Sequence, residues 1–347
     1  MRLRALIRYA LVPILLLSPA RPWTVAAGVQ SQVAAPALPA LIERLSEEGG
    51  EFDTDNLISN ERTFLEVIPA LKAAGVSGGA YIGVGPDQNF SYIAQLRPSI
   101  AFIIDIRRDN LLLHLLFKSL FALSRNRLEY LALLTGRTAP DRPETWGTAS
   151  LDRVIGYIDG AKPEGADALE RLDHRVHDTV AATGVPLSAA DFATIHRFHH
   201  TFIMSGLSLK FESRGRRPQA VYPTYRDLIT ATDRAGHALS FLAAESDFQF
   251  VKTLEAQNLV VPVVGNLGGT RALGAIAEVL TARGLRASAF YISNIETYLA
   301  GNESSQFARN VARLPHDARS VIIRSTFQAS ISSSSIQPFN EFLASAR

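Results

Sequence analysis

The chain has no cysteine, which excludes both a disulfide framework and a lipid-modified cysteine behind a signal sequence. It also has no block of one charge. Its 35 Lys and Arg are mixed with 33 Asp and Glu for a formal net charge of +2, so the basic footprint of a nucleic-acid-binding protein is missing and nucleic acid is not an expected partner. There is no HExxH, and neither Ser205 nor Ser213 sits in a nucleophile elbow, so zinc-protease and serine-hydrolase chemistry have no signature here. The apolar run at residues 9–17, broken by Pro13 and closed by Ser18-Pro19, falls short of the ~20 residues that a membrane-spanning helix needs.

What stands at that end is Arg2, Arg4 and Arg8 ahead of the apolar run, then small residues up to Ala27. This is the layout of a secretory signal. Val25 and Ala27 suit cleavage after Ala27, with Ala20 as the alternative. Residues 28–40 carry no charge and are rich in Ala, Pro, Gln and Val, the composition of a flexible spacer. The expectation is an exported protein, periplasmic or secreted, with no stable membrane anchor after cleavage. The remaining residues 41–347 make one domain, since 47% hydrophobic residues against 20% charged ones supply an ample core.

Within it, residues 41–45 suggest a short amphipathic helix stopped at Gly49-Gly50, and Asp55 to Asn60 offer caps for a helix that Pro69 bounds or kinks. Residues 80–85 form a buried apolar strand that enters a glycine turn, residues 89–97 form a helix, and residues 100–106 form a second apolar strand ending in acid. Strand, glycine turn, helix, strand is the opening unit of a doubly wound parallel sheet. Residues 109–134 are apolar nearly all round and predict a helix buried on several sides. Residues 138–218, punctuated by Pro140, Pro143, Pro163 and Pro186, predict a helical insertion with five histidines. The α/β rhythm then resumes with strands at 259–264, 287–293 and, last, 320–327. Taking 259–264 as the fourth strand leaves residues 207–212 and 220–225 competing to be the third. The fold class is therefore α/β, Rossmann-like, with a doubly wound, mostly parallel sheet.

Gly83-Val84-Gly85 lies where small residues let a backbone approach a ligand and where the next helix offers free N–H groups. Asp105 ends the following strand roughly 20 residues on, the spacing at which a carboxylate accepts from both hydroxyls of an adenosine ribose. Gln88 stands where GxGxxG has its third glycine, and Asp87 puts negative charge where a pyrophosphate would lie. A ligand with an amino-acid end suits the turn better than a dinucleotide.

The run GGAYIGVGPDQNFSYIAQLRPSIAFIIDIRRDNLL, residues 78–112, resembles the binding region of class I S-adenosylmethionine-dependent methyltransferases. With FDTDNLISNE ahead of it, residues 52–61, it is similar to an uncharacterised bacterial family assigned that fold. The resemblance implies S-adenosylmethionine as cofactor, with Gly83 and Gly85 under its methionine part and Asp105 on the ribose. It also implies that Asn60 and Glu61 approach from the preceding helix, and that Asp87, Gln88 and Asn89 line the turn. Tyr81 departs from the acid many methyltransferases carry two residues before the first glycine, and Asp87 from their third glycine.

Arg107 is a further ligand candidate at a strand end, or else pairs with Asp109 over the next helix. Asn266, ahead of Gly268-Gly269, and Asn294 and Glu296 lie where this fold faces the transferred group, with plain polar turns as the alternative. His174 and His177, and His196, His199 and His200, have helical spacing, but their charged neighbours read as solvated faces and no metal is expected. Two function classes follow: an exported methyltransferase-like enzyme, or a binding protein for an adenosine or amino-acid compound on the same fold.

Overall fold

The computed structural model describes residues 37–54, 56–213, 219, 221–328 and 331–345. The expected signal sequence, all of the spacer up to residue 36, Asp55 and Pro218 lie outside them. The described residues open with α1 (Leu38–Leu45), beginning three residues before the expected domain start. A 3-10 turn (Phe64–Val67) leads into α2 (Ile68–Ala73), and Pro69 sits in the first turn of that helix, where its missing N–H leaves no intrahelical bond unmade. Then come β1 (Ala80–Val84), α3 (Gln88–Leu96), β2 (Ile100–Asp105), α4 (Arg108–Leu123) and α5 (Arg127–Leu134). Next are α6 (Leu151–Gly160), α7 (Ala166–Ala181), α8 (Ala189–Ser205), α9 (Tyr225–Ile229) and α10 (Glu245–Ala256). The chain ends with β3 (Val260–Val264), α11 (Ala272–Ala282), β4 (Ala287–Ser293), α12 (Asn302–Arg313), β5 (Val321–Gln328), β6 (Ile331–Pro338) and α13 (Phe339–Ser345).

The six strands form one sheet in the order β3-β2-β1-β4-β5-β6, parallel except for β6, which runs antiparallel to β5. β1 and β3 are buried at every position, as apolar runs with crossovers require. The strand order reverses between β1 and β4, so a crevice opens at their carboxyl ends. This mostly parallel α/β sheet is compatible with a Rossmann-like fold.

Three sequence expectations need correction. Val260–Val264 is the third strand, not the fourth. Residues 207–212 and the described part, 221–225, of the expected 220–225 make only an isolated bridge, Lys210 to Thr224, because Tyr225 already starts a capped helix. The strand at 321–328 is not the last, since β6 extends the sheet through four serines. The long helix expected over 109–134 is two helices, because Asn126 caps α5 by accepting a hydrogen bond from the Glu129 N–H at 2.9 Å. α4 is buried nearly throughout because β3, α7, α8 and α10 all pack on it. Arg108 forks onto Asp191 at 2.9 and 3.0 Å and pins the start of α8 to the start of α4. His199 is buried against the Leu133 carbonyl, whereas His177 and His196 are half exposed. Among the described residues no three His, Cys, Asp or Glu side chains stand close enough to hold a metal, and no helix is long and apolar enough to cross a membrane.

Candidate functional site

A cavity of about 380 Å³ lies at the carboxyl ends of β1, β2, β3 and β4, within the size range of small-molecule sites. Its floor on one side is Val84-Gly85-Pro86, Asp105 and Arg107; on the other it is Glu61, Tyr291, Ser293 and Asn294. The segment before the 3-10 turn covers it with Phe52 and Thr54, and Phe211 and Tyr222 also line it.

The glycine turn divides the predicted residues into those that face the cavity and those that hold the turn. Gly85 faces it, and its φ of +82° is a conformation that glycine adopts without strain. Gln88 faces it too; its amide nitrogen donates to the Val84 carbonyl at 3.3 Å, while its amide oxygen is buried without a partner. Gly83 and Asn89 do not line the cavity, contrary to expectation. The Asn89 amide nitrogen donates to the carbonyls of Val84 (2.9 Å), Gly85 (3.3 Å) and Pro86 (2.7 Å), and its oxygen accepts from the Tyr81 hydroxyl at 2.7 Å. It is a strut under the turn. Gly83 is glycine because a Cβ there would meet that amide oxygen at 2.0 Å. From the far side, His114 donates from Nε2 to the Gly85 carbonyl at 2.9 Å; burial pushes this ring down to about 4, so it is neutral.

Asp87 is also behind the turn and not in the cavity. It is buried beside Tyr225 and Tyr130, makes no ion pair among the described residues, and burial raises its carboxyl to about 7. It therefore does not present charge to a ligand as the sequence suggested. A carboxyl that binds its proton more tightly in the folded than in the unfolded chain stabilises the fold at low pH. That advantage is lost as pH rises from the ordinary aspartate range to about 7, amounting to about 4 kcal/mol over some three units. Asp87→Asn should accordingly gain stability over the parent at pH 8 that it lacks at pH 4.5, read from denaturant melts. Parallel pH profiles for the two proteins would show that Asp87 does not titrate in this interval.

Asp105 and Arg107 both line the cavity, and they are paired. The Arg107 backbone N–H and Nε donate to one carboxylate oxygen at 2.9 and 3.1 Å, and its terminal nitrogen donates to the other at 2.9 Å. The second terminal nitrogen reaches the Thr54 carbonyl at 2.9 Å and ties the covering segment down. The pairing expected between Arg107 and Asp109 is thus absent, and Asp109 lies 3.9 Å from Arg197. Asn60 and Glu61 line the cavity from irregular backbone, not from a helix. Glu61 is buried; Ser293 and Ser325 donate to its two oxygens, and burial raises its carboxyl. Asn266 lines the cavity with its side chain committed to Glu303 (3.0 Å) and the Gly268 N–H (2.9 Å). Asn294 lines it as well. Glu296 does not, being paired with Arg324 at 2.6 Å.

Sequence reasoning missed Phe52, Phe211, Tyr222, Tyr291, Ser293 and Tyr298 as lining residues. Phe52, Phe211, Tyr222, Tyr291 and Ser293 lie in segments read for their fold or resemblance and not for a ligand, and Tyr298 lies outside all of them.

These features define an α/β protein with a ligand-sized cavity at the switch point of its sheet. The chain belongs to the family described as a domain of unknown function, DUF7790, whose model matches residues 57–142 and 201–345. The stretch between the two matches holds α6, α7 and the first two thirds of α8. No curated protein matches the chain.

Proposed function

We propose that the protein is methyltransferase-like and that its cavity takes S-adenosylmethionine or S-adenosylhomocysteine across the switch point. The observation that carries this reading is the placement of the Gly85 main chain and the Asp105 carboxylate on one wall of a cavity at the carboxyl ends of adjacent parallel strands. In this reading Gly85 lies under the methionine part and Asp105 accepts from the ribose. Arg107 takes three of the carboxylate's four lone-pair sites, both on one oxygen and one on the other, which leaves one site on the second oxygen for a ribose hydroxyl. Gln88 and Asn60 border the same ligand; Arg107, Asn266 and Asn294 face the second substrate. Catalysis would come from alignment of nucleophile and methyl group.

A second reading, a non-catalytic binding protein for an adenosine or amino-acid compound, is favoured by the clamp of Arg107 on Asp105 and by Tyr81 standing where many methyltransferases carry an acid. Calorimetric titration with S-adenosylhomocysteine tests the ligand. Binding of micromolar order is expected, abolished in Asp105→Ala and weakened in Asp105→Asn, which leaves Arg107 a neutral partner. No heat from folded parent protein would sink both versions of the adenosine reading.

A further inference from the structure

The cavity has two unlike halves. The half at β1, β2 and β3 holds the charged pair Asp105 and Arg107, already neutralised. The half at β4 and β5 holds Glu61, whose partners are hydroxyls: Ser293 at the end of β4, Ser325 in β5, and Tyr291 close by. Among the described residues no lysine, arginine or histidine makes an ion pair with it, and Arg324, the nearest arginine in β5 sequence to Ser325, is spent on Glu296.

Next to this carboxyl stands an unmet acceptor. The Gln88 amide is oriented by its nitrogen, which donates to the Val84 carbonyl and, at 3.5 Å, to the Tyr291 hydroxyl; its oxygen is buried and unpartnered. The Asn294 oxygen, 3.3 Å from the Ser293 hydroxyl, is a third acceptor on the same wall. A buried acceptor without a donor costs about 1–3 kcal/mol, so this half calls for an occupant with several donors and a positive charge. An ammonium group has three N–H donors and no acceptor.

The mouth supplies a place for the rest of such a molecule. Phe52 and Tyr298 pack edge to face at 4.9 Å, and Phe211 and Tyr222 do so at 5.0 Å; all four line the cavity, and Tyr298 is 46% exposed. Aromatic faces hold both apolar bodies and cations.

We infer that the β4–β5 half of the cavity is a subsite for a small organic amine, with Glu61 as counter-ion to its ammonium group and the aromatic pairs as the wall for its apolar body. The inference rests on the cavity being a ligand site, and assigns Glu61 to the second substrate in place of the cofactor. The raised Glu61 carboxyl fits a group that ionises when a cation arrives.

The test is titration of the full-length protein with 2-phenylethylamine and with 2-phenylethanol, which matches it in shape but carries no charge. The amine should bind at least about tenfold more tightly, the worth of one charged hydrogen bond. Glu61→Gln should erase the difference, and Glu278→Gln, which changes an exposed carboxylate outside the cavity, should leave it intact. Should Glu61→Gln fail to fold, a crystal soak of the parent locates the amine nitrogen, which must lie against Glu61 and Gln88. Equal binding of amine and alcohol, no binding of either, or an amine seated elsewhere overturns the subsite. If that happens while S-adenosylhomocysteine still binds, the adenosine site stands alone; if neither ligand binds, the cavity reading falls with it.

Discussion

Gly83→Ala is expected to destabilise the protein by about 3 kcal/mol or more, in the range of a core clash that has no room to relax. The added methyl would stand 2.0 Å from the Asn89 oxygen and within 2.8 Å of the Tyr81 ring and hydroxyl. None of these can move freely. Asn89 is tied to three carbonyls, and Tyr81 lies in a fully buried strand. Chemical denaturation would measure the loss. The companion variant Asn89→Ala removes the strut itself, so the double variant should be less destabilised than the sum of the two singles. Additive losses would mean that the methyl does its damage elsewhere.

Arg127→Ala should cost about 3–5 kcal/mol, the magnitude found when a buried charged side chain with several partners is removed. Arg127 opens α5 and is 2% exposed. One terminal nitrogen donates to the carbonyls of Leu242 (2.6 Å) and Ala243 (2.5 Å), the other donates to Ala149, and the Glu245 carboxylate lies 3.7 Å from Nε. One side chain thus holds together the start of α5, the segment ahead of α6 and the segment ahead of α10. Truncation strands three carbonyls and opens a cavity. Arg127→Met, which refills most of the volume but supplies no donor, should recover only part of the loss; full recovery would show that packing alone matters there.

The fold was legible wherever burial leaves a mark in composition. β1, β3 and β2 up to Ile104 are unbroken apolar runs, and the glycine turn and the acid that ends β2 stand out by residue type. β6 was not legible, because Ser332 to Ser335 has neither apolar alternation nor strong strand propensity. It is a strand because β5 offers it a complete ladder from Val321 opposite Pro338 to Gln328 opposite Ile331. At the site, Gly85, Gln88 and Asp105 could be named from local spacing. Gly83 and Asn89, expected at the ligand, stand under the turn instead, since spacing cannot tell which face of a turn a side chain supports. Phe211, Tyr222 and Tyr298 reach the cavity only through long-range folding, and no local pattern in their segments announces it.

The Asn89 strut and the His114 bond fix the three carbonyls of the glycine turn from inside the protein. The turn therefore has its shape without help from anything it binds, so a ligand spends little of its interaction energy on ordering loop backbone. Association at that wall should then run without a conformational gate, and differences between ligands should be found in how long each one stays.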